Sequence, residues 1–152
     1  MGYLAVSSPV GELTIFEEDG AIVALEWGRA PVGPGKPSAL LKRAARQLDE
    51  YFEGKRKTFD LPLKPAGTAF QQRVWTRLSA IPLGRVETYG AIAKKLKSGA
   101  RAVGTACGAN PIPILIPCHR VLGAGGNLSG YSGEGGVATK RFLLAREAAE
   151  AR

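Results

Sequence analysis

The sequence has few of the side chains that bind metals or form disulfides: its 152 residues include two cysteines, one methionine and one histidine. Two cysteines cannot build a disulfide-stapled scaffold, so we expect a reducing compartment and a cytoplasmic location. One histidine and two cysteines, with no C-x-x-C spacing, do not supply the four ligands of a structural zinc site. We therefore expect no metal and no other cofactor.

Long apolar runs are also absent. The longest apolar stretch, residues 111–118, contains three prolines and is far shorter than the roughly 20 residues that cross a membrane. The first ten residues have neither a basic start nor a long apolar run, so we expect no signal peptide. A content of 45% hydrophobic and 22% charged residues is typical of a globular protein with a packed core.

Negative charge is scarce in the second part of the chain. Residues 1–60 contain eight Lys and Arg against nine Asp and Glu, whereas residues 61–152 contain thirteen against four, a net charge of +9. Such an excess is the electrostatic signature of a surface that binds a polyanion. It favours nucleic acid as the partner, although a basic surface with no specific partner would have the same composition.

Residues 1–63 are predicted to form an amino-terminal subdomain of a small sheet and one helix. Residues 11–27 alternate in polarity around the turn Asp19-Gly20, which indicates a β-hairpin. Ser38 precedes apolar residues at helical spacing, so we expect it to cap a helix. Lys55–Leu63 is interpreted as a short strand.

Residues 64–152 are predicted to form a second subdomain that is mostly helical. Thr68 and Gln71 have the spacing of a capping box and predict the start of a helix. Two shorter helices are expected over Thr88–Leu96 and Ala100–Ala109, joined by a tight turn that contains glycine. Two short helices connected in this way are the outline of a helix-turn-helix.

The second of these short helices has unusually small side chains. It contains two glycines, each of which costs a helix roughly 1 kcal/mol relative to alanine, and Arg101 is its one long side chain. Small side chains cannot reach base edges in a major groove, but they let a backbone approach closely. We predict DNA binding with little sequence preference, with Arg101 as a probing cation. The alternative is that the small face packs on a neighbouring helix.

Cys118-His119-Arg120 is the candidate reactive centre, and an apolar run leads directly into it. Cysteine reacts as a thiolate, which a free thiol with a pKa of about 8.5 supplies poorly at neutral pH. His119 could act as the base. Neighbouring side chains of an extended strand point to opposite faces, so contact between Cys118 and His119 requires a turn or a bridging water.

A histidine that acts as a base also needs a carboxylate to fix its tautomer. The second part of the chain offers four, of which Glu147 is most firmly placed because it lies on a predicted helix that begins near Val137; the others are Glu87, Glu134 and Glu150. The alternative interpretation of Cys118 is a small buried apolar side chain, which is also how we interpret Cys107.

The segment 110–121, which reads NPIPILIPCHRV, resembles the active-site signature of the O6-alkylguanine-DNA alkyltransferases. The similarity runs from about residue 68 to residue 147 and includes AFQQRVW at 69–75, RAVG at 101–104 and GYSG at 130–133. It implies an α+β fold. The amino-terminal subdomain would be a ribonuclease-H-like sheet with a helix, and the carboxy-terminal one would be mostly helical and winged-helix-like, with a helix-turn-helix.

The resemblance also implies roles for the reactive residues. Cys118 would be the alkyl acceptor, His119 would deprotonate it through a water, and Glu147 would orient His119. Tyr89 would line the guanine pocket and help to protonate the departing base. Some relatives bind zinc in the amino-terminal half, but this sequence lacks the ligands.

Further residues are implied to contact DNA or the damaged base. The helix-turn-helix would bind the minor groove, with Arg101 entering the stack in place of the flipped nucleotide. The DNA-binding residues would be Arg101, Ala102, Gly104 and Thr105, and the hinge and base pocket would comprise Asn110, Val121, Tyr131, Ser132 and Gly133.

The activity implied in this way is DNA repair by stoichiometric transfer of an alkyl group from O6 of guanine to Cys118. The O6 atom is hidden inside a duplex, so the nucleotide must flip out of the helix. The thioether product has no carbonyl for water to attack, so the protein would react once. We expect the partner to be double-stranded DNA that contains O6-alkylguanine, and we expect a monomer.

Two other classes of protein compete with this interpretation. A DNA-binding protein that does not react, such as a regulator or a lesion binder, would explain the basic half and the helix pair. It would not explain an apolar run that delivers Cys-His-Arg. A Cys-His hydrolase would need an oxyanion site and would turn over.

Overall fold

The computed structural model describes residues 2–33, 35–128 and 136–150. The chain divides into two compact units, Met1–Ala66 and Gly67–Arg152. Each unit has its own hydrophobic core, and the reactive segment belongs to the second.

The first unit contains a three-stranded antiparallel sheet in the order β1-β2-β3, formed by Gly2–Ser8, Gly11–Glu18 and Ala21–Trp27. Asp19 and Gly20 both have positive φ, at 49° and 77°, as a tight hairpin turn requires. The predicted hairpin is therefore confirmed, and β1 adds a third strand to it.

One helix, α1 (Ala39–Phe52), packs against β1 and β2. The Ser38 hydroxyl accepts a hydrogen bond from the amide of Leu41 at 3.1 Å, so Ser38 is the N-cap, as predicted. The helix buries the face that contains Leu41, Ala44, Leu48, Tyr51 and Phe52.

The prediction of a strand over Lys55–Leu63 is wrong. Only Leu63 takes part in pairing, as an isolated parallel bridge to Ile22. The amide of Ile22 donates to the carbonyl of Pro62, and the amide of Lys64 donates to the carbonyl of Ile22, both at 2.8 Å. These two bonds attach the segment to β3 at one point, and the residues before Pro62 form no strand.

The second unit begins with α2 (Ala69–Ser79), whose predicted capping box is present. The Thr68 hydroxyl accepts from the amide of Gln71 at 3.1 Å, and the Gln71 side chain accepts from the amide of Thr68 at 2.9 Å. Its buried face consists of Val74, Trp75 and Leu78.

The predicted helix-turn-helix is also present, as α3 (Tyr89–Leu96) and α4 (Ala100–Gly108). The Thr88 hydroxyl caps α3 by accepting from the amide of Ala91 at 3.0 Å, and Lys97 ends it in the left-handed region at φ 56°. The indole of Trp75 donates to the carbonyl of Ala106 at 2.9 Å and holds α2 against α4.

A short parallel pair of strands and a last helix complete the second unit. β4 (Glu87–Thr88) pairs with β5 (Val121–Leu122), and α5 (Val137–Glu150) packs against the turn that precedes β5. The fold is α+β, as the sequence predicts. Within the described residues, no helix has both the length and the apolar character needed to cross a membrane.

Candidate active site

The segment that delivers the candidate nucleophile is held by the side chain of Asn110. Its Nδ2 donates to the carbonyl of Ile116 at 2.8 Å, and its Oδ1 accepts from the amide of Ile112 at 2.9 Å. One side chain thus fixes both ends of the loop between α4 and the reactive turn, because it satisfies backbone groups on each side of it.

The same loop contains a strained residue. Ile114 is 1% exposed and has φ 73°, in the left-handed region that a β-branched side chain rarely occupies. Such a conformation costs on the order of 1–3 kcal/mol and persists where the surroundings impose it. Burial of the apolar residues around it holds the backbone on this path into Cys118.

Cys118–Arg120 forms a single 3-10 turn, and all three of its side chains are buried. The turn removes the geometric difficulty that an extended strand would create, since Cys118 and His119 no longer have to face opposite sides of a strand. A turn is therefore present, but Nδ1 of His119 makes no direct hydrogen bond to the thiol, so the proton transfer still requires a bridging water.

His119 is fully buried and is held by Glu147 of α5, with 2.6 Å between its Nε2 and Oε2 of the carboxylate. Arg120 donates to the same carboxylate, from Nε to Oε1 at 2.8 Å and from Nη2 to Oε2 at 3.1 Å. The Nη1 of Arg120 also donates to the carbonyl of Ile81 at 2.6 Å. Glu147 is thus the shared acceptor of two adjacent side chains.

These contacts set the charge state of Glu147. Burial alone would raise the pKa of its carboxyl group, but hydrogen bonds from His119 and Arg120 and the positive charge of Arg120 lower it to about 2. A carboxylate cannot donate a hydrogen bond. The proton between the two side chains must therefore reside on Nε2 of His119.

The other ring nitrogen of His119 is consequently an acceptor. Nδ1 is buried and has no hydrogen-bond partner among the residues that the structure describes. Burial lowers the pKa of His119 despite the opposing effect of Glu147, so the ring is neutral at neutral pH. A neutral imidazole with its lone pair on Nδ1 can take a proton.

Cys118 is 6% exposed, and its burial raises the pKa of the thiol. A hydrogen bond from the Asn110 side chain and the charge of Lys140 act in the opposite direction. The resting sulfur is therefore a thiol that needs a base, and the environment contains groups that would stabilise its anion.

Two further side chains reach this centre from neighbouring helices. Lys140 of α5 is fully buried, and its Nζ lies 5.7 Å from the centre of the Tyr89 ring. A Cβ atom added to Gly104 would lie 4.0 Å from the same ring, so Tyr89 stands against the backbone of α4. The sequence prediction contains Tyr89 and Gly104 but misses Lys140, although its seven-residue spacing from Glu147 places both on one face of a helix.

The predicted DNA-binding residues lie on the outer part of α4. Arg101, Ala102 and Thr105 are exposed, and the Thr105 hydroxyl donates to the carbonyl of Arg101 at 3.0 Å. They border an open groove of about 580 Å³ that is also lined by Thr68, Phe70, Gln71 and Ala106. Gly104 faces inward, towards Tyr89, so the structure separates it from the other three.

The remaining predicted residues differ in their placement. Val121 is fully buried in β5, next to the reactive turn. Glu87 is ion-paired with Arg77, and Lys95 lies 3.8 Å away. Of the two candidate carboxylates whose side chains the structure describes, Glu87 and Glu147, it is Glu147 that meets His119. The side chain of Glu150 is not among those described. The predicted pocket residues Tyr131, Ser132 and Gly133, together with the candidate carboxylate of Glu134, lie outside the described residues.

Cys107 is buried in α4 at 5% exposure, as its interpretation as a small apolar side chain predicts. Burial and the nearby Cys118 raise the pKa of this thiol to about 12, and the charge of Lys140 only partly opposes them. Cys107 therefore stays protonated over the whole physiological pH range.

Comparison with protein families supplies two matches that together span nearly the whole chain. Residues 1–65 match the family model described as the ribonuclease-like domain of 6-O-methylguanine DNA methyltransferase. Residues 69–149 match the model described as the DNA binding domain of the same protein.

Individual relatives match over nearly their full length. The methylated-DNA--protein-cysteine methyltransferase of Methanosarcina acetivorans is 39% identical, with 97% of this chain and 98% of that protein covered. The constitutive enzyme of that name from Bacillus subtilis is 42% identical, with coverages of 93% and 92%. The crystal structure of Mycobacterium tuberculosis OGT in complex with DNA has a TM-score of 0.87 and 42% identity, and the match covers 97% of this chain and 93% of that one.

Proposed function

Because this chain belongs to the 6-O-methylguanine DNA methyltransferase family, we propose that it repairs DNA by transferring an alkyl group from O6 of guanine to its own Cys118. The observation that supports this most strongly is the pairing of His119 with Glu147 at 2.6 Å, one residue from a buried thiol. That pairing leaves Nδ1 of His119 as a base in a site that contains no other histidine, since the chain has one.

The reaction starts with the thiol proton. In this proposal it passes from Sγ of Cys118 to Nδ1 of His119 through one water, a relay that general-base catalysis allows. Glu147 stabilises the imidazolium that forms and keeps Nε2 protonated throughout. Sγ then attacks the O-alkyl carbon, the S–C bond forms as the C–O bond breaks, and the electron pair leaves with guanine, which takes up a proton. We assign to Tyr89 the assistance of that protonation.

The partner is DNA, as the crystal structure of the Mycobacterium tuberculosis relative in complex with DNA supports. Within DNA, the target that we propose is O6-alkylguanine in a duplex. A buried thiol cannot reach O6 inside a duplex, so the nucleotide must flip out. The exposed side chains of Arg101, Ala102 and Thr105 would lie in the minor groove, with Arg101 filling the space that the nucleotide leaves. The protein acts as a monomer.

We propose that the base pocket is formed by residues on both sides of the segment 129–135, which the structure does not describe, and by residues within that segment. Asn110 serves as the hinge between α4 and the reactive loop, since it bonds both ends of that loop. Val121 and Gly104 supply apolar surface close to Cys118 and Tyr89. The resemblance assigns the rest of the pocket to Tyr131, Ser132 and Gly133, which lie outside the described residues.

The product is a thioether, which cannot be hydrolysed as an acyl-enzyme can, so each molecule reacts once. The test is to incubate equimolar protein with a duplex that contains one O6-methylguanine and to measure the intact mass of the protein. We expect one added methyl group on Cys118 of the wild type. We expect none on Cys118→Ala and one on the matched variant Cys107→Ala.

The competing classes give different results in the same experiment. An unchanged mass with the DNA bound would indicate a lesion binder and would contradict alkyl transfer. Repaired guanine in excess of the protein would indicate turnover and would contradict the single reaction.

A further inference from the structure

Two three-residue turns shape the backbone between Asn110 and Cys118. In the first, the amide of Leu115 donates to the carbonyl of Pro113 at 2.9 Å, and the central residue, Ile114, has φ 73°. A hydrogen bond across three residues with a positive φ at the centre is the classic form of the γ-turn, which is rare and strained. Ile114 is therefore a strained link in the loop that leads to the candidate nucleophile.

The second turn is relaxed. The amide of Cys118 donates to the carbonyl of Ile116 at 2.8 Å across Pro117, whose φ of −81° and ψ of 68° are those of an inverse γ-turn. The ring of proline restricts φ to values close to this one, so Pro117 fits the position without strain. This turn attaches the amide of the nucleophile directly to the carbonyl of Ile116.

The carbonyl of Ile116 is the point on which the hydrogen bonds of the loop converge. It accepts from the amide of Cys118 and from Nδ2 of Asn110, both at 2.8 Å. The amide of Ile116 donates to the carbonyl of Ile112 at 2.9 Å, which requires the chain to reverse its direction between these two residues. The strained turn at Ile114 makes that reversal. The position of Cys118 therefore depends on the conformation of Ile114.

The side chain of Ile114 anchors this strained turn. It is 1% exposed, and the neighbouring side chains of Ile112, Leu115 and Ile116 are at most 5% exposed. Such a side chain resists displacement, because its movement would expose apolar surface or leave a cavity. Glycine would adopt a positive φ without a steric penalty, but it has no side chain to bury. Isoleucine at this position thus combines an unfavourable backbone conformation with a strong anchor.

We propose that Ile114 is a positioning residue of the alkyl transfer: its buried side chain holds the strained turn in place and thereby fixes Sγ of Cys118 for in-line attack on the O-alkyl carbon. The assignment rests on the proposed function. Ile114 acts through the carbonyl of Ile116 and needs no contact of its own with the base. A displacement of about 1 Å at a reacting atom can cost about 100-fold in rate, so a small shift of the loop is sufficient.

The first part of the test separates the anchor from the strain with two substitutions. Ile114→Ala removes the anchor and keeps the unfavourable φ, whereas Ile114→Gly removes both. Relief of such strain changes an unfolding equilibrium about 30-fold, and the greater freedom of glycine in the unfolded chain offsets about threefold of this. In urea unfolding we therefore expect the unfolding equilibrium constant of Ile114→Gly to be about tenfold smaller than that of Ile114→Ala.

Ile112 provides the matched control for this comparison, because it is fully buried in the same loop and its φ is not positive. At such a position glycine should be less stable than alanine, since it gains more freedom on unfolding and relieves no strain. Opposite orders of stability at the two positions would identify the backbone conformation of Ile114, rather than the loss of a buried side chain, as the cause.

The second part of the test measures alkyl transfer from a duplex that contains one O6-methylguanine, in excess over the protein. The limiting rate and the half-saturating DNA concentration are then obtained separately. We expect Ile114→Ala and Ile114→Gly to lose about tenfold to 100-fold in limiting rate, with half-saturating concentrations within about twofold of the wild type. Ile114→Val keeps a branched, buried side chain and should keep the wild-type limiting rate.

A merely structural role for Ile114 would change only the amount of folded protein and leave the limiting rate of the folded fraction unchanged. Under the proposal, Ile114→Gly is more stable than Ile114→Ala and is still slow. A wild-type limiting rate in either folded variant, or a glycine variant less stable than the alanine variant, would overturn the inference.

If Ile114→Ala does not fold, Ile114→Gly carries the rate measurement, and its ability to fold where the alanine variant does not agrees with the expected order of stability. Failure of the proposed function is distinguishable, because in that case the wild type itself would acquire no methyl group from DNA.

Discussion

Substitution of Glu147 by glutamine should weaken both the fold and the reaction, because its carboxylate accepts from His119 and twice from Arg120. The pKa of Glu147 is lowered from 4.5 to about 2. At about 1.4 kcal/mol per pKa unit, this difference corresponds to about 3 kcal/mol of stability. Removal of one partner of a buried ion pair typically costs about 3–5 kcal/mol, which agrees.

The pH dependence has a defined sign. Because the pKa of the carboxyl is lower in the folded protein, its contribution is fully present above pH 4.5 and is lost as the pH falls from there towards about 2. Urea unfolding at a series of pH values should show this loss in the wild type. Glu147→Gln should be about 3 kcal/mol less stable at neutral pH and should lack this part of the pH dependence.

The effect on the reaction comes from the histidine tautomer. A glutamine amide can donate to Nε2 of His119, which would move the ring proton to Nδ1 and remove the base. Loss of general-base catalysis costs about 10²–10⁴-fold in rate, so we expect a loss of at least about 100-fold with free O6-benzylguanine.

The matched control is Glu87→Gln, which removes a carboxylate paired with Arg77 near the surface. Such pairs contribute about 0–1 kcal/mol, so its stability should change little and its rate should not change. Glu147→Gln with wild-type stability and wild-type rate would refute the reasoning.

Three further substitutions test separate parts of the molecule. Cys107→Ala should accept an alkyl group at the wild-type rate, since the thiol that it removes has a pKa of about 12. Mass spectrometry of the product measures that rate, and a large loss of rate would show that Cys107 takes part. Thr68→Ala removes the cap of α2 and should lower the unfolding free energy by about 1 kcal/mol in thermal or urea unfolding, and no change would contradict the capping role. Arg101→Ala should slow repair of duplex DNA much more than reaction with free O6-benzylguanine, and equal losses in the two assays would refute a role in base flipping.

Local signals in the sequence predicted most of the helices and their caps. The caps at Ser38 and Thr68 and the turn at Asp19-Gly20 depend on residues three or fewer positions apart, which a sequence displays directly. β1 was not predicted and the strand over Lys55–Leu63 was predicted wrongly, because strand pairing depends on a partner elsewhere in the chain.

In the candidate site, too, local features could be predicted from the sequence and long-range contacts could not. The reactive segment could be identified from consecutive residues, but the contact of His119 with Glu147 spans 28 positions, and the sequence left four carboxylates open. The helical spacing favoured Glu147, and the structure places it against His119. Lys140 was missed because a lysine on a surface helix is normally exposed, and only the packing of α5 on the reactive turn buries it.

The most direct test of the account is the protonation state of His119, which is the one histidine in the chain and therefore gives an unambiguous NMR signal. Nitrogen-15 spectra of protein labelled at histidine distinguish a protonated ring nitrogen from one that carries a lone pair. The account predicts a neutral ring at pH 7, with the proton on Nε2 and the lone pair on Nδ1. A ring protonated at Nδ1, or an imidazolium at that pH, would contradict it, since neither can accept the proton of Cys118.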